Sequence, residues 1–138
     1  MQTVAELMAA RPVTVGPDES VVTAAQRMRD ADIGNVVVTD GQRIDGILTD
    51  RDIVVRAVAG GGDLSRTRAS SLCSSEVCTI RPQESVQRAV ELMREHSVRR
   101  LPVVADGAVV GVLSLGDLAI ERDERSALAD ISAATPNQ

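Results

Sequence analysis

Two places in this chain set a hydroxyl three residues before an acid, each directly after an aliphatic run: Thr49-Asp50-Arg51-Asp52 and Ser114-Leu115-Gly116-Asp117. A side-chain oxygen at the first position can accept from the backbone N–H three residues on, so both segments read as helix starts related to the capping box. Other reactive residue types are sparse. His96 is the single histidine, it falls at the polar end of a helical segment, and no Ser-His-Asp or His-Cys set can be assembled around it. The expectation is a surface histidine and no catalytic centre. Cys73 and Cys78 are too few for a disulfide framework, and their spacing with one histidine is a weak metal signal. They read as partly buried free thiols that folding does not need, with a redox pair as the alternative. Gly60-Gly61-Gly62 precedes a polar stretch rather than a lysine-bearing helix, so it is not a phosphate-cradling loop.

The elements that position these residues emerge from an internal repeat. Gly46 and Gly111 mark an offset of 65, and residues 4–54 laid over 69–119 need no gap, with 13 of 51 positions identical. Thr14 meets Thr79, Pro17 meets Pro82, Ser20 meets Ser85 and Asp52 meets Asp117, while further pairs such as Val15 with Ile80, Val36 with Leu101 and Ile47 with Val112 exchange one aliphatic for another. The two halves therefore share a fold. In each, a short strand (Val13 to Val15 in the first) stops at a proline, and Ser20 or Ser85 can cap a helix with apolar residues at helical spacing. Those residues are Val21, Ala24, Ala25 and Met28, then Val86, Ala89, Val90 and Met93. Aliphatic runs around Asp40-Gly41 and Asp106-Gly107 predict hairpins. The expected fold class is α/β (α+β), as two β-α-β-β-α repeats spanning 1–62 and 69–125. A polar linker at 63–68 joins them, and 126–138 read as a frayed tail.

Composition bounds the function. At 138 residues and 43% hydrophobic, the chain can build a core, and with no aromatic residue that core is aliphatic. The net charge of −5 opposes a phosphate-backbone partner, so nucleic acid is disfavoured. No apolar run reaches the ~20 residues of a membrane span, and the N-terminus lacks a signal-peptide pattern, so a cytoplasmic location is expected.

The segments Gly46-Ile47-Leu48-Thr49-Asp50-Arg51-Asp52, Gly111-Val112-Leu113-Ser114-Leu115-Gly116-Asp117 and Arg100-Leu101-Pro102-Val103-Val104 resemble the motifs of cystathionine-β-synthase (CBS) domains. Two such motifs in register cover nearly the whole chain. The resemblance implies a pair packed sheet to sheet about a pseudo-twofold axis, with two clefts for adenosine-containing ligands such as AMP, ADP, ATP or S-adenosylmethionine. It also implies roles for particular residues. Asp52 and Asp117 would bind ribose hydroxyls, with Thr49 and Ser114 beside them near ribose or phosphate. Val15, Val36, Ile80 and Leu101 would flank the base, next to Thr14, Thr79 and Pro102. Arg99 or Arg100 would meet phosphate, and Arg51 would lend charge to one cleft. The chemistry suits those roles, since a carboxylate can accept from two vicinal hydroxyls and Arg presents a planar fork to phosphate. Capping alone is the plainer explanation of Thr49, Asp52, Ser114 and Asp117, and the two uses are compatible.

The copies differ where charge matters: Gly34 and Asn35 stand at the positions of Arg99 and Arg100. Phosphate is thus expected mainly at the second copy. The reading that accounts for the paired motifs is a regulatory adenine-nucleotide sensor without catalysis, a homodimer through its helices, with a separate effector protein as a further partner. A protein-interaction module with vestigial clefts is the alternative.

Overall fold

In a computed structural model, residues 2–41, 43–73 and 77–122 are described. They fall into two compact units, one of Val13–Val77 and one joining the residues up to Pro12 to those from Cys78 onward.

In the first unit a three-stranded sheet has the order β2-β3-β4, from Thr14–Val15, Asn35–Thr39 and Ile44–Thr49. Strand β2 runs parallel to β3, and β3 pairs antiparallel with β4. Helix α2 (Val21–Ala31) covers one face; it starts where Ser20 Oγ accepts from Thr23 N at 3.2 Å and ends on Asp32 at φ 55°. Alternation along the strands sends Val15, Val36, Val38 and Leu48 to that face. There they pack with Val21, Ala24 and Met28 of α2, a cluster in which each large aliphatic side chain contributes about 1.5–3 kcal/mol. After β4 comes a short turn of helix, α3 (Asp50–Asp52), which continues in π-helical form over Ile53–Val58.

The second unit repeats this with helix α5 (Val86–His96), whose Ser85 Oγ accepts from Arg88 N at 3.1 Å, and with β5 (Arg100–Ala105) and β6 (Ala108–Ser114). Helix α6 (Leu115–Arg122) follows. The hairpin turns through Asp106 (φ 53°) and Gly107 (φ 79°), the positive-φ pair that Asp-Gly supplies. Ile80 makes an isolated parallel bridge to Val103, where the first unit has a two-residue strand. The reason is chemical. Val37 N donates to Val13 O at 2.9 Å, and its counterpart Pro102 has no N–H to give.

The compact units differ from the sequence repeats at their edges. The opening segment of each repeat packs in the other repeat's unit: α1 (Val4–Leu7) and β1 (Ala9–Ala10) join the second, and α4 (Ala69–Leu72) joins the first. The docking is equivalent bond for bond. Val4 N and Ala5 N donate to Glu84 O and Pro82 O, both at 2.9 Å, while Ala69 N and Ser70 N donate to Glu19 O and Pro17 O at 2.8 and 3.1 Å. Strand β1 adds an edge to the second sheet, giving the order β1-β6-β5. The 63–68 segment, read as a linker, is tied to its unit: Leu64 packs on the first cluster and Thr67 O accepts from Val21 N at 2.9 Å. The tail at 126–138 lies outside the described residues.

Cys73 and Cys78 are free thiols that fall in different units. Burial, and after it the Asp45 carboxylate, push the Cys73 thiol above its ordinary range, and burial does the same to Cys78. A raised pKa keeps the thiol protonated and slows nucleophilic attack. Alkylation of the native protein at pH 8 should therefore be slower than that of the urea-unfolded chain, as followed by mass spectrometry. Equal rates would contradict this placement. The linkage has one sign: any contribution to stability is present below the unfolded thiol pKa and is lost as pH rises through the folded value.

Candidate functional site

In the second unit the Ser-x-x-Asp segment forms a closed pair of bonds at the start of α6. Ser114 N donates to Asp117 Oδ2 at 2.8 Å and Asp117 N donates to Ser114 Oγ at 3.2 Å. Only one carboxylate oxygen is used among the described residues, and the serine hydroxyl keeps its own proton to donate. Both residues are half-buried. Arg100 lies directly across the ladder from Ser114, and opposed residues share a face with Cβ atoms about 5 Å apart. Pro102 follows on that face by alternation, and so does Thr79, which precedes the Ile80 bridge to Val103. Arg99 stands just outside the strand, its carbonyl accepting from Leu115 N at 2.8 Å. Neither guanidinium has a hydrogen-bond or ion-pair partner among the described residues. One face of the sheet thus carries Thr79, Arg100, Pro102 and Ser114, with Asp117 bonded back to Ser114. A carboxylate, a hydroxyl and a guanidinium without a partner among the described residues stand at this end of the sheet.

The first unit builds the same frame with different chemistry. Thr49 N donates to Asp52 Oδ2 at 3.0 Å and Asp52 N donates to Thr49 Oγ1 at 3.1 Å, a complete capping box. Across the ladder from Thr49 stands Asn35, and on the same face Thr14 is paired with Val37. Thr14 and Thr49 are separated by two strand spacings and two residues along the strand, about 12 Å on the sheet grid. Arg51 is exposed on the first helical turn.

Val15, Val36, Ile80 and Leu101 are at most 2% exposed and belong to the two aliphatic clusters on the helix-covered faces. Their side chains are used in packing within each unit. The pleat sends the neighbouring residues Val37 and Pro102 to the face that carries Thr49 or Ser114. A polar groove of about 710 Å³ in the second unit includes Thr79, Ile80, Arg81, Glu84 and Asp106, at the hairpin end of the sheet. It lies about five residues, or ~16 Å, along β5 from Arg100 and does not gather Ser114, Asp117 or the arginine pair.

Two contributors in the first unit were not singled out from sequence. Arg27 holds β2 in place, its Nη1 donating to Thr14 O at 2.8 Å while Nη2 pairs with Glu19 Oε2 at 2.8 Å. The second repeat has Leu92 there, so the 65-residue comparison carried that signal. The other is Asp50, which stands against Gly34. Among the described residues, no group of three or more His, Cys, Asp and Glu side chains is placed to hold a metal ion.

The CBS domain family profile matches residues 4–58 and 69–123. The chain is 36% identical over 136 residues to the CBS domain-containing protein YhcV of Bacillus subtilis, covering 96% of each. It is 34% identical to hypoxic response protein 1 of Mycobacterium tuberculosis, covering 96% of this chain and 94% of that one. A crystal structure of hypoxic response protein I with two coordinated zinc ions superposes with a TM-score of 0.74 at 36% identity, covering 88% of this chain and 99% of that one. The CBS domain protein PAE2072 of Pyrobaculum aerophilum, solved in complex with AMP, superposes with a TM-score of 0.76 at 31% identity, over 96% and 100% of the two chains. Repeated sheet, paired capping boxes and family match converge: this chain belongs to the CBS domain family as a tandem pair of CBS domains.

Proposed function

We propose that this CBS pair is a regulatory protein that binds an adenosine-containing small molecule, AMP, ADP, ATP or S-adenosylmethionine, and catalyses no reaction. The observation that carries the reading is the second unit's polar face. There Asp117 has a carboxylate oxygen to spare for a ribose diol, and Arg100 stands across the ladder from Ser114, both without a further partner among the described residues. The AMP complex of PAE2072 supports it as a relative of the same fold and similar length. Among the described residues no helix is long and apolar enough to cross a membrane, which fits the cytoplasmic site of action we assign.

The test is thermal melting of the purified protein with a panel of adenosine compounds. A ligand at ~100 times its dissociation constant adds about 2.7 kcal/mol, a shift of several degrees. No shift with any member of the panel would favour the interaction-module reading instead.

Output would pass through self-association or a separate effector protein. Val21, Ala24, Met28, Ala89 and Met93 are buried within the units, so only part of the apolar stripe remains for a partner. That remainder includes a groove of about 420 Å³ lined by Val22, Ala25 and Ile53, and one of about 450 Å³ lined by Val90, Leu115 and Leu118. Val54, Val55 and Val58 are exposed on the π-helical turn. Exposed apolar surface of this kind suits a homodimer. Sedimentation at micromolar concentration should show a dimer, and only monomer would remove the proposal.

A further inference from the structure

We infer that the two repeats select ligands of opposite charge: the Thr49–Asp52 site takes an uncharged or cationic adenosine compound, whereas the Ser114–Asp117 site takes an anionic nucleotide. This rests on the reading of both sites as nucleoside sites and assigns a ligand class to each.

The frames are the same, so the difference lies in the side chains. Asp50 N donates to Gly34 O at 3.0 Å in the first unit, and Leu115 N donates to Arg99 O at 2.8 Å in the second. Positions 34 and 99 therefore face positions 50 and 115 through the same backbone bond. A Cβ on Gly34 would stand 3.1 Å from Asp50 Oδ2. The carboxylate of Asp50 thus occupies the space beside the position that carries a guanidinium in the second repeat. The exchange is coupled: Arg99 with Leu115 in one repeat corresponds to Gly34 with Asp50 in the other, and Arg100 corresponds to Asn35.

The charges follow. Around the first site stand two carboxylates, Asp50 and Asp52, against one guanidinium, Arg51; around the second stand two guanidiniums, Arg99 and Arg100, against one carboxylate, Asp117. Of the other cations beside the first sheet, Arg27 is committed to Glu19 and to Thr14 O, and Arg43 is paired with Asp45. A 5′-phosphate entering the first site would meet Asp50 where in the second it meets Arg99 and Arg100. A sulfonium carrying the same adenosine would be repelled by the arginines and drawn to the acids. The shared aspartate keeps both sites able to bind ribose, and the 5′ substituent decides between them.

Calorimetric titration of the full chain with AMP and with S-adenosylmethionine tests this, in the parent and in Asp52→Ala, Asp117→Ala and Asp50→Leu variants. AMP should bind once per chain, with binding lost in Asp117→Ala and kept in Asp52→Ala. S-adenosylmethionine should show the reverse dependence. Asp50→Leu, which leaves both capping boxes intact, should weaken S-adenosylmethionine about tenfold or more; adding Gly34→Arg should create a second AMP site. Should Asp52→Ala fail to fold, Asp50→Leu alone decides the matter through that loss. Two AMP molecules bound with equal affinity by the parent, or unchanged S-adenosylmethionine affinity in Asp50→Leu, would overturn the inference and leave nucleotide binding standing. Binding of neither compound would overturn both.

Discussion

Replacing Gly111 with alanine should destabilise the protein by about 3 kcal/mol and lower its melting temperature by about 10 °C. Gly111 sits in the middle of β6, paired with Val103 on one side and Ala10 of β1 on the other. A Cβ there would come within 2.6 Å of Met8 Sδ and 2.8 Å of Ala9 O. The methionine can swing away; the carbonyl cannot move unless β1 peels from the sheet. Losing β1 would loosen α1, whose Val4 is fully buried in the second cluster. The cost is thus a steric clash converted into lost edge pairing and lost burial. Gly62→Ala is the control, since nothing stands within 4 Å of a Cβ there and the substitution should change little. Shortening Met8 to alanine alongside Gly111→Ala should recover part of the loss, because the Ala9 carbonyl remains. A Gly111→Ala melt within about 2 °C of the parent would show that β1 does not lie over this glycine.

That glycine also shows what sequence can and cannot reveal. Gly46 and Gly111 were visible as anchors of the repeat, and the motif after them located both capping boxes. The serine caps, the Asp-Gly turn at 106–107 and the helical stripes were equally legible, because each depends on residues within one turn or one pleat. What escaped were contacts set by tertiary partners. Residues 4–10 carry no strong periodicity, and nothing local announces that they dock on the other repeat through Glu84 O and Pro82 O. The residues expected to flank the base lie one residue of register away from the face that carries Thr49 or Ser114. Along a strand, neighbours point to opposite faces, and in Val36-Val37-Val38 all three are aliphatic and buried, so composition could not say which side the helix covers. The Arg99-Arg100 contrast with Gly34-Asn35 was readable. That Asp50 stands in the corresponding space required coordinates.

The largest effect on binding is expected at Arg100. In an Asp52→Ala background, which leaves only the second unit's site to be read, Arg100→Ala should weaken AMP ten- to hundredfold while leaving adenosine nearly unchanged. Loss of a charge-assisted contact to phosphate costs about 1.5–3 kcal/mol, and adenosine has no phosphate to lose. Arg100 is the better target of the arginine pair because it shares the strand face with Ser114, whereas Arg99 precedes the strand and is exposed. Asp117→Ala should weaken AMP and adenosine to a similar degree, since the ribose is common to both. That substitution also removes the acceptor of Ser114 N, a cap worth about 1 kcal/mol, so the folded fraction must be checked by melting before titration. Asp117→Asn separates the two effects: it keeps an oxygen for Ser114 N and removes the charge. If Arg100→Ala bound AMP as tightly as its parent, phosphate would not be held at this face. If Asp117→Ala weakened AMP alone, the carboxylate would be acting on the phosphate end through the cap rather than on the ribose.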